Sequence, residues 1–404
     1  MLEMHRVERV AAAVCAETGP VGVSSGHGPG AGRTAPPGEY YEEEVAASDI
    51  HRTAQVDELD SYINAIKNDG SEDRLAELFA PKYTSTADYE ASCDGLREAF
   101  AKTIGYPPPA MLTIEESADG ARFERIGDDY LATYYRCWIP ITAQVQAYGI
   151  YIIPKADDGG QLPGPLPLML SVHGGGGSPE AALFNGGSNY HGMVRQAAAQ
   201  KYMVWAPQHL FAAQGYPPDI RNQIDQRLKL VGTSLTAIEI AKITRPIDVL
   251  IKGANDHAGH TSIDPDRIGL VGLSYGGYYA LVAPALDTRI KVSVCSCYAF
   301  VQELRYRESE LSVPVDFHFM DRFTLFREPE VCALICPRYL QIQAGKTDMY
   351  THRDPALAPA TGAYWERLQQ GSSDGNVGEF EYVRFDGGHE FDDDSAWSFV
   401  TKHL

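Results

Sequence analysis

Ser274, Asp348 and His389 each stand just past a segment that reads as a strand, in an order and a setting that suit nucleophilic catalysis. A serine hydroxyl is a poor nucleophile. It needs a neighbouring histidine to take its proton and return one to the leaving group, and a carboxylate to fix the imidazole tautomer. Ser274 lies in Gly272-Leu273-Ser274-Tyr275-Gly276-Gly277, between the apolar run Ile268-Gly269-Leu270-Val271 and a small-residue segment, Tyr278 to Ala285, that reads as a helix. Glycines on both sides of a serine remove the Cβ clashes of a sharp strand-to-helix turn and leave the hydroxyl exposed at its tip.

Upstream, Leu166 to Val172 reads as a buried strand and runs into His173-Gly174-Gly175-Gly176-Gly177. Acyl transfer places negative charge on a carbonyl oxygen, and one well-placed backbone N–H is worth about 3 kcal/mol against that charge. The glycine run marks Gly174 and Gly175 as expected donors, with the amide of Tyr275, next after the serine, as their partner. Downstream, Arg338 to Gly345 reads as a strand with Asp348 three residues past its glycine. Phe380 to Phe385 then opens into Asp386-Gly387-Gly388-His389. Asp348 is the expected acid. Asp386, only three residues from His389, is the alternative, and a carboxylate so close in a tight turn tends to cap backbone amides instead.

These motifs resemble two related groups of α/β-hydrolases. Ser274-Tyr275-Gly276-Gly277-Tyr278 is similar to the nucleophile segment of prolyl-oligopeptidase-type peptidases. The segments Ala147 to Pro154, Asp264 to Gly269, Leu286 to Lys291 and Cys336-Pro337-Arg338 resemble the dienelactone hydrolase and acetyl xylan esterase-like group, over roughly residues 120–404. The resemblance implies an α/β-hydrolase fold and a Ser-Asp-His triad that needs neither cofactor nor metal. Peptidases of the first group usually carry a Val-Pro-like step after the acid, where this chain has Asp348-Met349-Tyr350-Thr351. They also carry a β-propeller, for which the first 120 or so residues leave no room. The expected activity is therefore ester hydrolysis through an acyl-enzyme. A serine exopeptidase or amidase is the alternative, and a non-catalytic binding protein on the same scaffold the rival from another class.

The rest of the chain must position these groups. Probable strands are 130–139, 143–153, 166–172, 202–206, 268–271, 290–295, 339–343 and 380–385, with helices between them, notably Ser234 to Lys252, capped by Ser234 and kinked at Pro246. That alternation predicts an α/β protein with a mostly parallel, eight-stranded twisted sheet and helices on both faces. Residues 1–47, rich in Gly, Pro and Ala toward 19–38, read as a disordered or loosely attached arm. Residues 48–118 read as a helical extension and 119–404 as the catalytic domain. In the extension, Leu59, Tyr62, Ile63 and Ile66 fall on one helical face before a stop at Gly70. A second helix is expected from Thr86 to Ile104, capped by Gly105. Phe184 to His191, Gln208-His209, and Tyr298, Phe300, Arg305 and Arg307 in two long connections are possible pocket residues, with packing an equal reading.

Bulk properties narrow the class. The 404 residues carry a net charge of −20, with 44% hydrophobic and 22% charged residues. That charge argues against binding nucleic acid or an anionic membrane surface, and no apolar run is long enough to span a bilayer. The seven cysteines, an odd number with no histidines at metal-site spacing, read as buried thiols of a reducing compartment. Residues 1–16 lack the ordered regions of a secretory leader, so the expectation is a cytoplasmic enzyme acting on a small-molecule ester, or one whose leader is absent from this sequence.

Overall fold

The computed structural model describes residues 45–68, 71–253, 262–299, 315–350 and 356–404. The arm expected before residue 45, the stop at Gly70, and Phe300, Arg305 and Arg307 lie outside the described residues. The chain divides into two units, Met1–Ser61 and Tyr62–Leu404. In the first, Ile50, Val56 and Leu59 on the helix Asp49–Asn68 are exposed.

The second unit is built on a nine-stranded sheet. Its strands are β1 (Arg122–Asp128), β2 (Ala132–Pro140), β3 (Gln146–Pro154), β4 (Leu166–Val172), β5 (Met203–Pro207), β6 (Ile263–Leu273), β7 (Ile290–Ser296), β8 (Tyr339–Gly345) and β9 (Phe380–Phe385). Their order is β1-β2-β3-β5-β4-β6-β7-β8-β9. The first three strands join antiparallel, and β5 through β9 are parallel to their neighbours on the β4 side. Eight strands were expected, and the ninth is β1. Its sequence, Arg122-Phe123-Glu124-Arg125-Ile126-Gly127-Asp128, is largely exposed and polar, so it sends almost no burial signal. Every residue of β4 is buried, as an apolar strand covered by helices on both faces must be. The order of pairing reverses at β4: the next strand, β5, lies on one side and β6 on the other. A crevice opens at the carboxyl ends of strands where such a reversal occurs.

Among the described residues, the helices Leu235–Ile251 and Tyr275–Leu286 carry a proline in their interior, and both continue through it. In the helix Leu235–Ile251, Pro246 leaves the carbonyl of Lys242 without its usual amide, and the indole N–H of Trp205 donates to that oxygen at 3.1 Å. In the helix Tyr275–Leu286, Pro284 frees the carbonyl of Ala280, which accepts from the Ser293 hydroxyl. The helix continues through Pro246, and a buried donor from the sheet fills the gap that the proline leaves. Ser234 caps that helix as expected, its hydroxyl accepting from the Ala237 amide at 3.1 Å.

The single helix expected over Thr86 to Ile104 is two, Thr86–Ser92 and Asp94–Ile104, separated at Cys93. Gly95 lies at the start of the second, where a Cβ would stand 2.6 Å from the Leu78 carbonyl oxygen. Tyr89, Cys93, Leu96 and Phe100 are buried with the main core, and Gly105 ends the pair in the left-handed conformation.

Candidate active site

Ser274 stands between β6 and the helix Tyr275–Leu286 with φ 58° and ψ −115°, a conformation that costs a non-glycine residue about 1–3 kcal/mol. Its neighbours hold it there. The Ser274 amide donates to the Ser296 carbonyl at 2.8 Å, tying the turn to the end of β7. A Cβ on Gly272 would meet the Gly276 oxygen at 2.2 Å, and one on Gly276 would meet the Val172 oxygen at 2.1 Å. The two glycines let three backbone segments cross almost in contact. Gly276→Ala is accordingly expected to lower stability by about 4 kcal/mol or more, against about 0.5 kcal/mol or less for Gly186→Ala, which has open space around it. Urea midpoints of the two variants check the contrast.

Asp348 follows β8 and His389 follows β9. The two adjacent parallel strands carry their loops to the same edge, and the loops are joined. The Thr347 amide and hydroxyl both donate to the Gly387 carbonyl, at 3.0 and 2.8 Å. The result is a contact of 3.0 Å between His389 Nδ1 and Asp348 Oδ2, with the carboxylate fully buried and the imidazole one-quarter exposed. The Tyr350 amide donates to the other carboxylate oxygen at 2.8 Å, and the Tyr350 ring packs 4.6 Å from the imidazole. Asp386 points away. It is 88% exposed and pairs with Lys346 at 2.6 Å.

The backbone of His389 is tethered to the loop after β4. Asn189 donates to the His389 carbonyl at 3.0 Å, the Phe391 amide donates to the Asn189 carbonyl at 2.8 Å, and His191 pairs with Glu390 at 2.9 Å. Among the described residues no hydrogen bond joins the Ser274 hydroxyl to His389. Such bonds are often long before substrate binds.

The glycine run forms a turn in which the Gly177 amide donates to the Gly174 carbonyl at 3.1 Å and Gly176 takes φ 72°. A Cβ built on Gly174 would stand 3.2 Å from the Ser274 Cβ, so this turn and the serine are neighbours. Of the three expected donors, the Tyr275 amide opens its helix and has no carbonyl one turn back to satisfy it. Gly175 lies under Phe211, whose ring a Cβ would meet at 2.6 Å. The Gly174 amide, by contrast, donates to the Tyr190 hydroxyl at 3.0 Å. Tyr190 belongs to the loop read from sequence as an even choice between packing and pocket.

His173 fixes this turn from beneath. The backbone amide of His209 donates to His173 Nε2 at 3.0 Å, so that nitrogen is unprotonated. The proton is on Nδ1, which donates to the Gly174 carbonyl at 2.8 Å. Burial, reinforced by the neighbouring His209, pushes His173 down to about 4 from an ordinary 6.5. The unfolded chain binds a proton below pH 6.5 that the folded chain refuses until about pH 4. Stability carried by neutral His173 is therefore whole above pH 6.5 and lost as pH falls toward 4, in all about 3 kcal/mol. Thermal unfolding followed from pH 7 to 4 is expected to show this slope, and His173→Gln to flatten part of it.

Behind the serine lies a layer of which only His209 stands among the pocket candidates of the sequence. Tyr275 donates its hydroxyl to Asp316 at 2.8 Å, and Asp316 pairs with Arg221 at 3.1 Å. The Arg221 guanidinium lies 3.9 Å from the ring centre of Phe211, which itself packs 5.4 Å from Tyr275. His209 and Glu239 form a fully buried pair nearby, at 2.9 Å. Arg221 and Phe211 sit in the long connection after β5, and nothing in their sequence context singles them out.

The fold has counterparts among solved structures. No family model matches this sequence, and no curated protein matches it either. A proposed acetyl xylan esterase from Bacteroides fragilis is similar in structure with a TM-score of 0.55, at 15% identity over 77% of this chain and 80% of that one. A glucuronoyl esterase from Solibacter usitatus is similar with a TM-score of 0.53, at 14% identity over 80% and 96%. One from Teredinibacter turnerae is similar with a TM-score of 0.53, at 15% identity over 81% and 90%. The chain has the α/β-hydrolase fold. In this sheet Ser274 follows β6, next to the middle strand β4, and Asp348 and His389 follow β8 and β9. The fold alone does not dictate chemistry, and the side chains at those positions must carry it.

Proposed function

We propose that this protein is a serine esterase cleaving a carboxylic ester through an acyl-enzyme. The observation that carries the proposal is the conjunction of a strained, glycine-flanked Ser274 with a buried Asp348–His389 pair at the same sheet edge. Asp348 accepts from His389 Nδ1–H, which leaves the Nε2 lone pair to take the Ser274 proton as Oγ attacks the ester carbon. The negative oxygen that forms is met by the Tyr275 and Gly175 amides. The Gly174 amide acts through the Tyr190 hydroxyl, which accepts from it and keeps its own proton to donate. His389 returns the proton to the departing alcohol, and water repeats the sequence in reverse on the acyl-enzyme. These steps use only side chains and backbone groups of this chain.

A carbohydrate-borne ester is the favoured substrate class, because the similar solved structures are esterases of that kind. The formal charge of −20 suits a neutral small molecule better than a polyanion. Six cysteines among the described residues are free and buried, which fits a reducing, cytoplasmic setting. No helix among the described residues is long and apolar enough to cross a membrane.

Hydrolysis of p-nitrophenyl esters from acetate to octanoate, beside peptide anilides, tests the proposal. Ester turnover with a short-chain optimum is expected. Anilide cleavage without ester turnover would replace the esterase reading with an amidase.

A further inference from the structure

Cys297 follows β7 directly and takes φ 51°, a left-handed backbone rarely adopted by a residue with a side chain. Its amide donates to the Gln343 carbonyl at 2.9 Å, which fixes it against the end of β8. The thiol is thereby turned toward the two loops that carry Asp348 and His389, with Sγ 3.3 Å from the Glu390 carbonyl. One ligand atom each from Cys297, Asp348 and His389 lies within 4.8 Å of the others. In sequence these residues are far apart, and the cysteines alone show no metal-site spacing.

We propose that Cys297, Asp348 and His389 form an inhibitory site for Zn²⁺ or a similar thiophilic divalent cation. Bonds of roughly 2.0–2.3 Å to N, O and S place tetrahedral ligands roughly 3.3–3.8 Å apart, so the His389–Asp348 pair at 3.0 Å opens slightly and no separation in the group exceeds 4.8 Å before the metal enters. Sulfur and imidazole select zinc-like ions over magnesium or calcium. A thiolate and a carboxylate together cancel the charge of a divalent ion, which removes the cost of burying it. Three protein ligands leave a fourth position for water.

Binding changes two protons. The Cys297 thiol loses its proton to solvent as Sγ binds the metal. His389 binds through Nδ1, so the imidazole proton now held there moves to Nε2 and the ring stays neutral. Nε2–H has no lone pair to offer Ser274. The metal thus stops catalysis by reversing the tautomer that Asp348 otherwise enforces. The site stands on the geometry alone, and its inhibitory effect rests on the proposed triad.

Titrating the full-length chain with Co²⁺, a spectroscopic substitute for zinc, tests the site without any assay of activity. A near-ultraviolet thiolate-to-cobalt charge-transfer band is expected in the wild type and not in Cys297→Ser, which keeps the shape but not the sulfur. Cys297→Ala serves as a second variant, and circular dichroism checks the folding of both. His191→Gln, which alters the exposed His191–Glu390 pair nearby, is expected to keep the band. In parallel, Zn²⁺ should suppress wild-type ester hydrolysis reversibly, with half-inhibition moved by about 100-fold or more in Cys297→Ser. No band in the wild type, a band that persists in both Cys297 variants, or inhibition that depends on His191 would overturn the site. A Cys297-dependent band in a protein without esterase activity would keep the site and discard the proposed reaction.

Discussion

Replacing Ser274 by alanine is expected to lower kcat on esters by about 10⁵-fold or more, with secondary structure and KM little changed. Losing the nucleophile of a serine hydrolase removes every step that depends on it, and the remainder is binding and oxyanion stabilisation. Ser274→Gly should be equally inactive but more stable than Ser274→Ala. Alanine keeps the strain of φ 58° and ψ −115°, about 1–3 kcal/mol, whereas glycine relieves it at an entropic cost of about 0.5–1 kcal/mol. A net difference of about 1 kcal/mol in favour of glycine is expected in urea unfolding. Inactive variants ranked in that order separate the chemistry of the serine from the architecture of its turn.

Asp348→Asn is expected to lower kcat by about 10⁴-fold, while Asp386→Asn changes it by less than about twofold. An asparagine at 348 can present its amide to His389 Nδ1, which then becomes the acceptor. The imidazole proton shifts to Nε2, and the base faces Ser274 with a hydrogen in place of a lone pair. The same substitution at Asp386 only removes an exposed pairing with Lys346, which contributes little. Steady-state kinetics of the two variants decide between the carboxylates. Equal losses would mean that the buried contact at 3.0 Å does not orient the base.

Much of this geometry was legible in the sequence because it depends on the residues that leave the end of a strand. The apolar run Leu166–Val172 and the alternating segment Phe380–Phe385 mark strands whose loops must emerge at one edge of a parallel sheet, and Gly174, Ser274, Asp348 and His389 all stand just past such strands. The preference for Asp348 over Asp386 came from chain geometry in a tight turn, and the structure places only Asp348 beside His389. The features that escaped were set by contacts between distant segments. The edge strand β1 is polar because one face and one edge meet water. The donor that satisfies the Lys242 carbonyl freed by Pro246 comes from Trp205, on another strand. Engagement of the Gly174 amide by Tyr190, and the Arg221–Asp316 pair behind Tyr275, join residues 16 to 95 positions apart. Local periodicity has no means of recording such pairs.

Treatment with a fluorophosphonate, combined with peptide mass mapping, tests most directly whether Ser274 is an activated nucleophile. A single adduct on Ser274 in the wild type, and none in Asp348→Asn over the same time, is the expected result. An adduct on another serine, or an unlabelled protein that still hydrolyses esters, would contradict it.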